Sequence, residues 1–270
     1  MLKRRGQVTI FIIIAILIVV AIALFFLVRT SLVANIFTSP EKNPKAFIKT
    51  CLEDPVQEAI SSISPQAGYD SFGLKIPFIF TQQSEYFPGQ GEEYDVSYLC
   101  YSPENLKCIN QAPTLIRDIG GEIHNYLKGE NSEEKNYIKS CFDNLESSYK
   151  KAGYDITIKQ GELKVDLVLD KIIIDFDREI KLTKNDAITI EKNFEIVFES
   201  KLYNLILVVK EIINGEAERC TFNYFDVIEK NPAFRIWMEN VEGENVDGTK
   251  IYTIKDKQTE EWFRFAVRGC

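Results

Sequence analysis

Six cysteines are the side chains of this 270-residue sequence with the clearest capacity for chemistry. Oxidised in pairs they form disulfides, and as reduced thiolates beside histidine they bind zinc. The sequence contains no Cys-x-x-Cys spacing and a single histidine, so disulfides are favoured over a metal site. The six are Cys51, Cys100, Cys108, Cys141, Cys220 and Cys270.

Local sequence favours two of the pairings. Cys100 and Cys108 flank Ser-Pro-Glu-Asn, a turn composition that a short-range bridge would close. Cys51 and Cys141 occupy equivalent positions in two similar segments, 47–54 and 137–144, and Gly-Tyr-Asp follows each segment. A duplicated helix–turn–strand module would bring these two cysteines onto neighbouring helices, where they would form a bridge. Chance similarity is the alternative.

The other residues that could bind a metal ion or act in catalysis are better explained by structural roles. Asp175, Asp177 and Glu179 alternate along a strand pattern and would line up for calcium, but no loop pattern that wraps the ion is present. A strand face exposed to solvent is therefore favoured over a calcium site for these three carboxylates. His124 lies on a predicted helix, and sequence supplies no nucleophile or carboxylate partner for it. We therefore expect no catalytic residue, no metal, no cofactor and no enzymatic activity.

Aromatic residues cluster late in the chain, at Trp237, Trp262, Phe263 and Phe265. Exposed together they would form a binding patch. The alternation of the strands that carry them favours a place in the core instead.

The spacing of apolar residues predicts the helices and strands that carry these residues. Apolar residues three or four apart predict helices from Pro44, from 113 to 128 and from 201 to 214, with an interruption at Pro55 and a stop at Gly215. Alternating residues predict strands over 74–80, 94–101, 163–169, 172–182, 188–198, 234–241, 250–255 and 262–268. The predicted fold is α+β, an antiparallel sheet domain covered by helices, with modules at 44–130 and 131–270.

The first 38 residues predict a membrane anchor. Residues 10–28 carry no charge, and as a helix they span about 28 Å, close to the hydrocarbon thickness of a bilayer. Lys3, Arg4 and Arg5 precede them and only Arg29 follows, which puts the N-terminus in the cytoplasm and residues 30–270 outside the cell. All 40 acidic residues and 28 of the 32 basic residues lie beyond Arg29, so that part has a formal charge of −12. This charge disfavours nucleic acid as a partner.

The extreme N-terminus, Lys-Arg-Arg-Gly-Gln followed directly by the apolar run, resembles the class III signal of archaeal type IV pilin-like membrane proteins. The resemblance implies cleavage by a prepilin-type peptidase between Gly6 and Gln7, with the helix kept on the mature protein. The fifth mature position is Phe11, where pilins carry Glu. An uncleaved single-pass anchor is the alternative.

Anchor, outer domain and cysteines together predict a cell-surface structural or interaction protein. Its expected partners are the lipid bilayer, the peptidase, and copies of itself or another surface protein. A single-pass receptor or adhesin that binds a protein or glycan without cleavage or filament assembly is the alternative function.

Overall fold

The computed structural model describes residues 43–70, 73–80, 87–104, 106–129, 135–219, 222–241 and 248–269. The chain divides into two compact units, Met1–Phe47 and Ile48–Cys270. The predicted membrane helix at 10–28 and the pair Gly6 and Gln7 lie outside the described residues, as does the whole predicted segment 1–38. Within the described ranges, no helix is long and apolar enough to cross a membrane.

The described elements confirm an α+β fold. The helices run over Pro44–Ile63 (α1), Leu115–Lys128 (α2), Tyr137–Lys151 (α3), Leu202–Glu218 (α4) and Phe225–Lys230 (α5). The strands run over Lys75–Ile79 (β1), Glu93–Tyr101 (β2), Ile109–Asn110 (β3), Asp155–Lys159 (β4), Leu163–Val168 (β5), Lys171–Lys184 (β6), Ala187–Glu199 (β7), Phe234–Asn240 (β8), Thr249–Asp256 (β9) and Trp262–Arg268 (β10).

Two sheets organise the described strands. In the first the order is β1-β2-β10-β9-β8, with β3 beside β2, and its pairs are antiparallel except β2 with β10, which is parallel. That pair joins the predicted modules 44–130 and 131–270 in one sheet. In the second sheet β6 pairs with β7 along one side and with β5 and β4 on the other, all antiparallel.

Helices cover both sheets. α2 packs on β5 and α3 packs on β4, while α4 packs mainly against β10, β9 and β2 of the first sheet and also touches β5. The wide apolar surface of α4, with Leu205, Val209 and Ile212 fully buried, packs mainly on the first sheet.

Two details of the predicted helices differ from the structure. α1 continues through Pro55 with no restart, and Pro55 is buried with the apolar stripe of the helix. α4 continues past Gly215 to Glu218. A Cβ at Gly215 would lie 2.1 Å from the Phe222 ring, so the glycine permits a close contact inside the helix rather than ending it.

The pairing of β6 with β7 in the second sheet is irregular at one point. Phe176 pairs with Phe194 and Glu179 pairs with Lys192, so two residues of β6 lie opposite the single residue Asn193 of β7. This is a β-bulge, a feature that bends a strand and changes the direction of its side chains.

Candidate functional site

A cavity of about 410 Å³ lies beside the bulge of β6, and we call it the α3–β6 cavity. Its lining includes Asn136 and Phe142 at one wall, Gly161 from the connection between β4 and β5, and Arg178 from β6. Small-molecule sites in proteins commonly enclose about 300–1,000 Å³. The cavity therefore has room for a small ligand or for one group of a larger one.

The bulge supplies the arginine. Arg178 and Asp177 are the two β6 residues that face Asn193, whose φ of 45° is left-handed. The amide of Asp177 donates to the carbonyl of Glu162 at 3.0 Å, which ties the bulge to the start of β5. A Cβ at Gly161 would lie 1.3 Å from the Asp177 carbonyl oxygen, so only glycine lets the connection pass here.

An aromatic platform supports the guanidinium. The Cζ atom of Arg178 lies 4.2 Å from the centre of the Phe142 ring, within the range of a cation–π contact. Phe142 is buried and meets Phe176 edge-on at 5.6 Å, while Phe176 stacks on Phe194 at 5.1 Å. Phe176 and Phe194, which pair with each other next to the bulge, thus hold the Phe142 ring on which Arg178 rests.

Arg178 is only partly satisfied. Its Nε atom is buried and has no hydrogen-bond partner in the part of the chain that the structure describes. Burial lowers the pKa of Arg178 from its ordinary value, yet a guanidinium remains charged at neutral pH. Because Nε is buried, the terminal nitrogens of this half-buried cation are the donors that face an oxyanion in the cavity.

The remaining charges of the cavity are mixed. Lys128 and Lys139 add positive charge, and Asp143 and Glu146 add negative charge. Glu146 accepts a hydrogen bond from Lys150 at 2.5 Å, so a lysine already balances it. The described lining has no serine, cysteine or histidine.

A second arginine, Arg264, occupies a closed aromatic box. Its side chain is fully buried, its Nε donates to Thr253 Oγ1 at 3.0 Å, and its Nη2 donates to the Pro88 carbonyl at 2.8 Å. The Cζ atom lies 3.3 Å from the Phe80 ring centre and 4.6 Å from that of Trp262. Burial lowers the pKa of Arg264 to about 9. With no exposed surface, Arg264 is a structural cation.

The structure contains two disulfides between described cysteines. Cys51 is bonded to Cys141, which links α1 to α3, and Cys100 is bonded to Cys108 at the end of β2. These are the two pairs that local sequence favoured. Cys220 and Cys270 lie outside the described residues.

One of the three carboxylates considered for calcium is held in ion pairs. Glu179 accepts from Lys159 Nζ through one oxygen and from Lys192 Nζ through the other, each at 2.7 Å. These hydrogen bonds lower the pKa of Glu179 to about 2. Across the described ranges, no group of three or more His, Cys, Asp or Glu side chains is placed to hold a metal ion.

His124 lies on α2 with its Nδ1 atom 3.2 Å from the Asn125 side-chain oxygen. The late aromatic residues divide: Phe263 and Phe265 are fully buried core residues, as the strand alternation favoured. Trp262 remains half-buried beside Arg264, and Trp237 packs edge-on against Phe87 at 5.3 Å.

Sequence reasoning missed both arginines, although each left a signal. In β6 the inward positions Ile172, Ile174, Phe176, Ile180 and Leu182 skip residue 178, where alternation calls for an apolar side chain and Arg178 stands. Arg264 likewise stands within the apolar strand β10. A charge at an inward position marks either a buried network or a binding site.

Comparison of the chain with protein-family models, with characterised proteins and with solved structures gives no match. The functional argument therefore rests on the geometry of the described residues and on the N-terminal sequence.

Proposed function

We propose that the chain is a membrane-anchored cell-surface structural or interaction protein, with its N-terminus in the cytoplasm and residues 30–270 outside. The apolar, uncharged residues 10–28 and the basic residues before them support the anchor and its direction. The bilayer is then the first partner.

The disulfide between Cys51 and Cys141 is the observation that carries this proposal. It joins two helices ninety residues apart in the sequence, and a second disulfide closes the segment between Cys100 and Cys108. Disulfides persist in oxidising compartments and are rare in a cytosol that keeps thiols reduced. A fold that contains both is suited to the outer side of a membrane.

We further propose cleavage after Gly6 by a prepilin-type peptidase, which would make Gln7 the first mature residue. Removal of Lys3, Arg4 and Arg5 would free the helix for lateral packing, with copies of the chain or with another surface protein. Phe11 at the fifth mature position leaves such packing without the carboxylate that pilins have there.

Surface labelling tests the topology. A membrane-impermeant, lysine-reactive biotin reagent applied to intact cells is expected to label the exposed Lys49 and Lys181, because both lie on the outer side. A cytoplasmic protein of the same cells serves as control and reacts only after lysis. Labelling of both lysines only after lysis would place the domain inside and contradict the proposal.

A second candidate function is a single-pass receptor or adhesin that stays uncleaved and binds a partner. The α3–β6 cavity favours it, because a guanidinium that rests on the Phe142 ring and lines a cavity can pair with an anionic group of a partner. An intact N-terminus together with a ligand for the cavity would select this function.

A further inference from the structure

We propose that the α3–β6 cavity is a binding site for a monocarboxylate, whose carboxylate pairs with the guanidinium of Arg178. This inference goes beyond the proposed function and does not depend on the anchor, so the labelling result and the ligand result stand separately.

The geometry of Arg178 selects an oxyanion. Its guanidinium lies over the Phe142 ring at 4.2 Å, which engages the flat face of the group. Its N–H donors lie along the edge of the group, and because Nε is buried, the two terminal nitrogens are the donors that a ligand in the cavity can reach. A carboxylate accepts two parallel hydrogen bonds, one from each terminal nitrogen.

The carboxylates of the lining favour a ligand with a single negative charge. Asp143 and Glu146 lie in the described lining beside the cations Lys128, Lys139 and Arg178, and Lys150 pairs with Glu146. The two carboxylates would repel a dianionic phosphate more strongly than a monoanion. Ile138 and Ile158 give the walls an apolar part that suits the body of an organic acid.

The backbone around Arg178 directs its side chain toward the cavity. A regular β6 would have no residue pair opposite Asn193, and the connection through Gly161 fits only because that residue has no Cβ. Bulges occur often beside binding and active sites, where they direct a side chain. An arginine that only covered a hydrophobic ring would not need such a backbone.

The test is an NMR titration of the full-length, disulfide-bonded protein in detergent micelles. Sodium acetate is the probe, sodium chloride at equal ionic strength and acetamide are the controls, and inorganic phosphate tests the dianion. The side-chain Nε–Hε signal of Arg178 and the backbone amide of Gly161 report binding. We expect both signals to shift saturably with acetate alone, with Kd on the order of 10 mM because the probe is so small.

Variants separate recognition from packing. Arg178→Lys keeps a cation on the ring but loses the planar fork, and it should weaken acetate binding at the Gly161 signal by about tenfold. Arg117→Lys changes an exposed arginine of α2, whose side chain is 80% exposed, and should leave the titration unchanged.

Three results would overturn the proposal. They are the absence of a saturable shift with acetate, an equal shift with chloride or acetamide, and unchanged affinity in Arg178→Lys. Tighter binding of phosphate than of acetate would reject the monocarboxylate in favour of a dianion.

Discussion

Two arginines at inward strand positions differ in how completely the fold surrounds them. Arg264 is sealed among Phe80, Trp262 and neighbouring rings, and two of its nitrogens donate to Thr253 and Pro88. Arg178 rests on one ring and borders a cavity. Arginine is therefore part of a closed core in one sheet and of a cavity wall in the other.

Gly161, beside the cavity, has no room for a side chain, and the first prediction concerns its replacement. Gly161→Ala should lower the free energy of unfolding by about 3 kcal/mol, because its Cβ would overlap the Asp177 carbonyl oxygen and force the backbone apart. Urea unfolding of the full-length protein in detergent, followed by tryptophan fluorescence, measures the change.

Gly121→Ala is the matched control. Gly121 lies in α2, and a Cβ there meets nothing within 4 Å. Alanine favours a helix over glycine by roughly 0.5–1 kcal/mol, so this variant should be slightly stabilised. Equal unfolding free energies for the two variants would show that the connection is not tightly packed against the bulge.

At the scale of elements, helix ends are set by contacts that sequence periodicity does not contain. α4 passes Gly215 because the Phe222 ring packs there and because Glu216, one residue on, accepts from Lys250 Nζ at 2.8 Å and from the Tyr252 hydroxyl. Burial raises the pKa of Tyr252, which keeps the hydroxyl protonated and donating. These partners are 34 and 36 residues away, beyond any local pattern.

The two segments that resemble each other fold as helices α1 and α3, and Cys51 and Cys141 bridge them. The glycine after each helix, Gly68 and Gly153, has a positive φ, 85° and 82°. The preceding residues differ, since Ala67 has a φ of 66° and Ala152 a φ of −80°, and duplication stays a prediction.

The next prediction compares the loss of stability when each disulfide is removed. In the chain-entropy view, a longer closed loop restricts the unfolded chain more, and the two sequence separations are 90 and 8. The double variant Cys51→Ser, Cys141→Ser should therefore lose about 2 kcal/mol more stability than Cys100→Ser, Cys108→Ser. Urea unfolding of both under oxidising conditions measures the difference. A larger loss from the short bridge would mean that strain or local packing, not loop length, sets their contributions.

At the scale of the molecule, the sequence predicted local elements and one distant pair, Cys51 with Cys141, but not the pairing of distant strands. Alternation found β5, β6 and β7, because apolar and polar residues alternate along each strand and short connections join them. The pattern does not report burial everywhere, since Ile188 and Ile190 of β7 are 57% and 50% exposed. The parallel pairing of β2 with β10 joins residues more than 160 positions apart, for example Tyr98 and Ala266, and no local pattern encodes it. The cavity was missed for the same reason, since α3, the β4–β5 connection and β6 meet only in the folded chain.

The intact mass of the protein from its native membrane, measured under non-reducing conditions, tests the membrane-surface proposal most directly. We expect a chain that starts at Gln7, with Cys51–Cys141 and Cys100–Cys108 oxidised, because processing occurs at the membrane and the domain matures outside it. A chain that starts at Met1 with its disulfides intact would reject processing and favour the uncleaved receptor. A chain that starts at Met1 with reduced cysteines would contradict both the processing and the outer location.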